Sequence, residues 1–296
     1  MRMATQFAGT SEIVEISLSG VQVRLVVETS GPEHADLCLL LPALSTVSSR
    51  GEWRTFATAI GDRYRLVSFD WPGFGDSDRP RIRYDVETLR TTLNAVLDHL
   101  KSTHKKKITV VAVGHSAPAA LSLADERSLE WDRLVLVAPT WRGPLPTMTG
   151  WTPEQFKWLR QLVSLPVLGS MLYRLNTSRT ILKLMLRRHV WVNPEMLNPE
   201  IIREQQLLSR KKGARFASVS FVSGGFDPDV KRTWWLEQAK LLKCPLHVVL
   251  ATEAPPRSKE EMTYLAELAD EVSEIKGRLG LHQEYGKALA EWMVSA

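Results

Sequence analysis

Residues 106–127 read KKITVVAVGHSAPAALSLADER. The run ITVVAV (108–113) is short, apolar and largely β-branched, the pattern of a strand buried on both faces. APAALSLADER (117–127) reads as the helix that follows. A sharp turn between such a strand and helix exposes the side chain at its apex, and the helix N-terminus behind it favours developing negative charge. Ser116 is expected there as a nucleophile, with Gly114 allowing the close backbone approach such a turn needs. The competing reading is an ordinary N-cap serine. Pro118 fits the first helical turn, where its missing N–H has no intrahelical partner, but it disfavours the helical region for Ala117.

Outward from this stretch the chain alternates. EIVEISLSGVQVRLVVETSG reads as a hairpin with strands at 12–18 and 21–28, turning at Ser19-Gly20. DLCLLLPA is a buried strand and GEWRTFATAIG has helical spacing. YRLVSFDWPGFGDSDRP is a strand ending in a turn-rich loop. YDVETLRTTLNAVLDHLKS is an amphipathic helix with Val86, Leu89, Leu93, Val96, Leu97 and Leu100 on one face. DRLVLVAPT is the strand after the 108–127 unit. From 141 to about 240 only helical patterns occur. Strand–helix alternation then resumes with CPLHVVLAT, SKEEMTYLAELAD, EVSEIK and QEYGKALAEWMVS. The expected architecture is α/β: a mostly parallel sheet with helices on both faces, formed by residues 1–140 and 241–296, with a helical cap of residues 141–240 inserted after the sixth strand.

Composition narrows the function. The 296 residues suffice for one large core. No apolar run is long enough for a membrane span, and the N-terminal MRMATQFAGTSEIVEIS lacks the apolar stretch of a secretory signal. The two cysteines, Cys38 and Cys244, each adjoin an expected strand and read as free thiols. A cytoplasmic or organelle-interior location is therefore expected. The net charge of +5 is uneven: residues 141–240 hold 16 Lys/Arg against 7 Asp/Glu, and the remainder 22 against 26. Without zinc-ligand spacing, a basic recognition helix or an aromatic RNA motif, nucleic acid is not an expected partner. A solvated helical surface accounts for most of the basic residues. Arg174, Arg179, Lys183, Arg187 and Arg188 also offer contacts to an acidic group or to an anionic membrane surface.

The hairpin, DWPGFGDSDRP, GHSAPA and the closing units together resemble the α/β-hydrolase fold superfamily, over nearly the full length. The Asp70, Gly73, Gly75, Ser77 stretch matches a loop found in its capped members, and its role there is structural. The resemblance implies a base after the last strand, where His282 is the one histidine of seven. A neutral imidazole there would take the Ser116 proton and return it to a leaving group; the competing reading is a histidine capping the last helix. It also implies an acid after the seventh strand. The expected aspartate is missing, Ala254 standing in its place, and Glu253 is the nearest candidate, as triad acid or as an exposed loop glutamate. An oxyanion hole would use the N–H groups of Ala117 and of Leu44, or Ser45, because Pro42 has none. Trp141, Trp151, Trp191 and His189 of the cap would line an apolar substrate pocket, or simply pack its helices.

These readings imply a serine hydrolase acting on a hydrophobic ester, thioester or lactone through an acyl-enzyme on Ser116. No metal or organic cofactor is expected. Dehalogenases and epoxide hydrolases of the superfamily place an aspartate at the elbow, whereas carbon–carbon bond hydrolases and cofactor-free haloperoxidases keep a serine. The alternative is a binding or scaffold protein that retains the fold with weak or no catalysis. Pro118, Pro42-Ala43 and the missing aspartate motivate it.

Overall fold

The computed structural model describes residues 7, 9–228 and 231–295. Residues 1–6 and 8 of the N-terminal stretch MRMATQFAGTSEIVEIS, on which the expected absence of a secretory signal rests, lie outside the described residues. Eight strands form one sheet: β1 (Thr10–Leu18), β2 (Val21–Ser30), β3 (Asp36–Leu41), β4 (Tyr64–Phe69), β5 (Ile108–Val113), β6 (Trp131–Val137), β7 (Leu246–Ala251) and β8 (Glu271–Ile275). Their spatial order is β1-β2-β4-β3-β5-β6-β7-β8. The β1–β2 and β2–β4 pairs are antiparallel and every other pair is parallel. The β1–β2 turn is made by Ser19 (φ +51) and Gly20 (φ +77), the left-handed pair a two-residue hairpin requires.

The central strands bury both faces with a period of two. Leu37, Leu39 and Leu41 of β3, Val110 and Ala112 of β5, and Leu134 and Leu136 of β6 share one core. Cys38, Leu40, Val111, Val113, Val135 and Val137 share the other. The first face is covered by α2 (Val86–Thr103), with Leu89, Leu93, Val96, Leu97 and Leu100 inward, and by α3 (Ala117–Leu121), after which comes the short α4 (Ala124–Arg127). The second face is covered by α1 (Arg54–Ile60) through Phe56 and Ile60, and by the C-terminal helix through Leu289 and Met293. Cys38 and Cys244 are both free; burial pushes the Cys38 thiol up and that of Cys244 up to about 11.

Between β6 and β7 lie α5 (Pro144–Thr149), α6 (Lys157–Ser164), α7 (Leu168–Asn176), α8 (Arg179–Met185), α9 (Pro199–Arg210), α10 (Ala214–Val222) and α11 (Arg232–Lys240), with no strand among the described residues. The expected boundary at 240 groups α11 with this helical segment. Its contacts run instead to α3, α4 and α12 (Pro256–Ala266), and Trp235 is fully buried in the first core. α11 thus belongs with the sheet layer. The chain closes with α13 (Leu281–Glu284) and α14 (Gly286–Ser295). No described helix is long and apolar enough to cross a membrane.

The turn-rich loop after β4 holds the sheet's upper edge. Asp70 is fully buried and its carboxylate accepts from the N–H groups of Arg50 (2.6 Å) and Asp76 (2.7 Å). The buried Arg50 guanidinium pairs with Glu28 (2.9 Å), Asp70 and Asp76. Ser77 Oγ donates to Asp70 O (2.7 Å) and accepts from Val26 N–H (2.9 Å). A Cβ on Gly75 would run into the Asp70 carboxylate, so glycine is required there.

Candidate active site

β5 ends at Val113, and the chain passes through a single 3-10 turn, Gly114–Ser116, into α3. The left-handed residue at this turn is Gly114 (φ +54). Ser116 is right-handed (φ −83, ψ −14) and fully buried. A Cβ added at Gly114 would meet only Ala43 Cβ at 3.6 Å and Thr140 Oγ1 at 4.0 Å, ordinary contacts. The apex of the strand-to-helix turn therefore points between the β3 and β6 loops and carries no side chain.

The Ser116 hydroxyl turns back to the strand. It donates to Val113 O (2.8 Å), accepts from Val113 N–H (2.9 Å) and has Leu41 O at 3.3 Å. The expected Ser116–His282 hydrogen bond is not among the described bonds. This is a correction: the glycine takes the apex because only it adopts the positive φ without strain, and the serine two residues on satisfies the end of β5.

His282, on α13, is fully buried beneath the Trp53 ring at 5.2 Å between centroids. Its Nε2 lies 3.2 Å from Glu52 Oε2. Glu52 sits in the first turn of a 3-10 helix, Arg50–Trp53, and its carboxylate also accepts from the N–H groups of Ala43 (3.0 Å) and Ser49 (3.3 Å). Burial raises the Glu52 carboxyl above its ordinary value, while His282 and the two N–H groups act in the opposite sense. With Glu52 ionised its carboxylate can only accept, which puts the ring proton on Nε2 and leaves Nδ1 as the bare lone pair. Nδ1 is buried and has no hydrogen-bond partner among the described residues. The expected acid, Glu253, is half-buried, its N–H bonded to Gly277 O (2.9 Å), and no described bond joins it to His282. The carboxylate that meets His282 is Glu52, 230 residues earlier.

The remaining expected residues are scattered. Ala117 N–H donates to Gly114 O and is not free for an oxyanion. Leu44 is buried beside Ala43. Trp191 is buried with Leu186 and Ile202 and lies against Gly280, next to the His282 helix. His189 is on the same segment: its carbonyl accepts from Leu279 N–H (3.3 Å) and Val190 O accepts from Gly280 N–H (3.0 Å). Burial, with Arg188 and Arg278 nearby, lowers the His189 imidazole. The Glu284 carboxylate accepts from Val192 (3.0 Å) and Asn193 N–H groups. Segment 189–193 is thus tied down onto the His282 loop. Trp141 is buried elsewhere, its Nε1–H donating to Glu261 (3.0 Å), and lines a separate cavity of about 320 Å³. Trp151 is half exposed, against Phe156. Neither that cavity nor two larger ones, of about 870 and 480 Å³, is lined by Gly114, Ser116 or His282. Among the described residues no three metal-ligating side chains cluster.

Sequence reasoning missed Glu52 and Gly114. Glu52 carried one signal, a carboxylate in the first turn after the β3 loop beside a tryptophan. Gly114 carried another, a glycine directly at the end of ITVVAV.

A family model described as the alpha/beta hydrolase family matches residues 38–290. Among solved structures, the chain is similar to Cfl2 from Burkholderia cenocepacia (24% identity, TM-score 0.71, covering 99% of this chain and 98% of that one). It is also similar to an enol-lactonase from Burkholderia xenovorans LB400 (17%, 0.69, 95% and 98%) and to a thermophilic esterase from Thermogutta terrifontis (19%, 0.69, 96% and 98%). No curated protein matches the chain by sequence.

Proposed function

Because the chain belongs to the alpha/beta hydrolase family, we propose that it hydrolyses a hydrophobic ester, thioester or lactone with water as the direct nucleophile, His282 as general base and Glu52 as its orienting carboxylate. The observation that carries this reading is the buried His282–Glu52 pair whose other ring nitrogen has no partner. His282 Nδ1 takes a proton from water as its oxygen attacks the carbonyl carbon. Glu52 steadies the imidazolium, and His282 then passes the proton to the leaving oxygen or sulfur, releasing acid and alcohol or thiol. Ala43 and Ala117 N–H groups are already engaged, so Leu44 N–H is the proposed oxyanion donor. Trp53 and Trp191 supply the apolar wall, and the helical segment before α11 acts as the cap.

The test is a kcat/KM panel on short and medium acyl esters and lactones. His282→Ala and Glu52→Gln are expected to lose at least about 100-fold, the range for a positioned base, while Ser116→Ala keeps wild-type activity. A Ser116→Ala loss as large as that of His282→Ala overturns the direct-water route.

One observation favours a second reading, a binding or scaffold protein that retains the fold. Gly114 leaves the apex bare, and His282 is fully buried. Under that reading the whole panel is inactive, wild type included.

A further inference from the structure

From residue 155 to residue 194 the chain has no acidic residue and seven Lys/Arg. This stretch also holds eight of the large apolar residues that stand exposed: Trp158, Leu165, Val167, Leu168, Met171, Leu175, Leu184 and Met185. Apolar surface in that amount is unusual on a free protein face and marks an interaction site.

The local structure explains how these side chains come to be presented. α6 and α7 meet at Leu165-Pro166-Val167. Gly169 is buried, and a Cβ there would run into Val163 O, so the glycine lets α7 pack tightly on the end of α6 through one face. Leu168, Met171 and Leu175, three and four positions apart, lie together on the other face, which is open. Val167, at the tip, is 81% exposed. Along the same stretch Lys157, Arg174, Lys183, Arg187 and Arg188 are exposed and form no ion pair among the described residues. An exposed apolar helical tip within a stretch of unneutralised cations has the chemistry of a helix lying at a lipid interface. A second copy of the chain is disfavoured as occupant, because it would bring the same five unpaired positive charges onto one interface.

We propose that the α6–α7 tip docks on an anionic lipid surface, with Val167, Leu168, Met171 and Leu175 entering the headgroup–acyl boundary and the surrounding Lys and Arg facing lipid phosphates. α8 continues this surface directly into segment 186–193, which is hydrogen-bonded to the His282 loop. Docking does not depend on the catalytic reading.

Vesicle flotation of the full chain tests it, with phosphatidylcholine alone against phosphatidylcholine mixed with phosphatidylglycerol. The protein is expected to partition onto the anionic vesicles at least about tenfold better, and to come off as salt rises. Val167→Asp with Met171→Asp, and separately Arg174→Glu with Arg188→Glu, are each expected to abolish that partitioning with an unchanged melting temperature, since all four side chains are exposed. Equal partitioning on both vesicles, no partitioning on either, or full binding by the Val167→Asp, Met171→Asp variant overturns the proposal. So does a dimer in light scattering that the same variant dissolves. The salt dependence of the wild type decides the matter even if a variant fails to fold.

Discussion

At the residue scale, the account turns on two positions two residues apart. Gly114 holds the apex and Ser116 holds the end of β5. Ser116→Ala removes a buried hydroxyl that bonds both polar groups of Val113, so it is expected to cost about 1–3 kcal/mol in denaturant unfolding without touching kcat/KM. Gly114→Ser meets no clash, and its positive φ costs about 1–2 kcal/mol. Glu52 makes the sharpest pH prediction. Its folded carboxyl is raised above the unfolded value, so the folded state holds the proton more tightly. Its contribution is fully favourable below the unfolded carboxylate range and is lost as pH rises from there through the folded value. Glu52→Gln should therefore match wild type in melting temperature at low pH and gain on it as pH rises through that window, while activity falls. Thermal unfolding across pH for the two proteins checks this.

The site was legible to different depths for physical reasons. His282 stood out in the sequence because the resemblance points to a histidine after the last strand, and the structure shows that histidine buried and paired with a carboxylate, its role as base being the proposal above. Its carboxylate partner was not legible, because it lies 230 residues earlier on a 3-10 turn that no spacing rule connects to it. Ser116 was misplaced because the sequence shows a glycine and a serine near one turn but not which of them takes the left-handed backbone. The ordered end of β5 at Val113 decides that.

At the element scale, the alternation of strands and helices was readable because each strand carries a two-residue period and each helix its own apolar face. The packing of α11 on the sheet was not legible because its local pattern is helical like that of its neighbours, whereas its place depends on Trp235 reaching the sheet core. The loop after β4 was readable as structural, and the reason is the buried Arg50 held among Glu28, Asp70 and Asp76. Arg50→Met leaves buried carboxylates without their cation and is expected to destabilise by about 3–5 kcal/mol in denaturant unfolding. Gly75→Ala, which drives a methyl into Asp70, should be destabilising by the same assay.

At the scale of the whole molecule, a hydrolase-family sheet carries a buried histidine–carboxylate pair at one edge, a bare turn apex nearby, and a basic, apolar helical face between β6 and β7. The chain of contacts Gly114–Ala43–Glu52–His282 links the apex to the buried histidine, because Ala43 lies beside the apex and its N–H bonds Glu52. The central claim is that this chemistry runs without a serine nucleophile. Its most direct measurement is intact-mass and peptide analysis after treatment with a fluorophosphonate, comparing wild type with Gly114→Ser. The account predicts no adduct on wild type and a His282-dependent adduct on the serine placed at 114. A stoichiometric adduct on Ser116 of the wild type would contradict it.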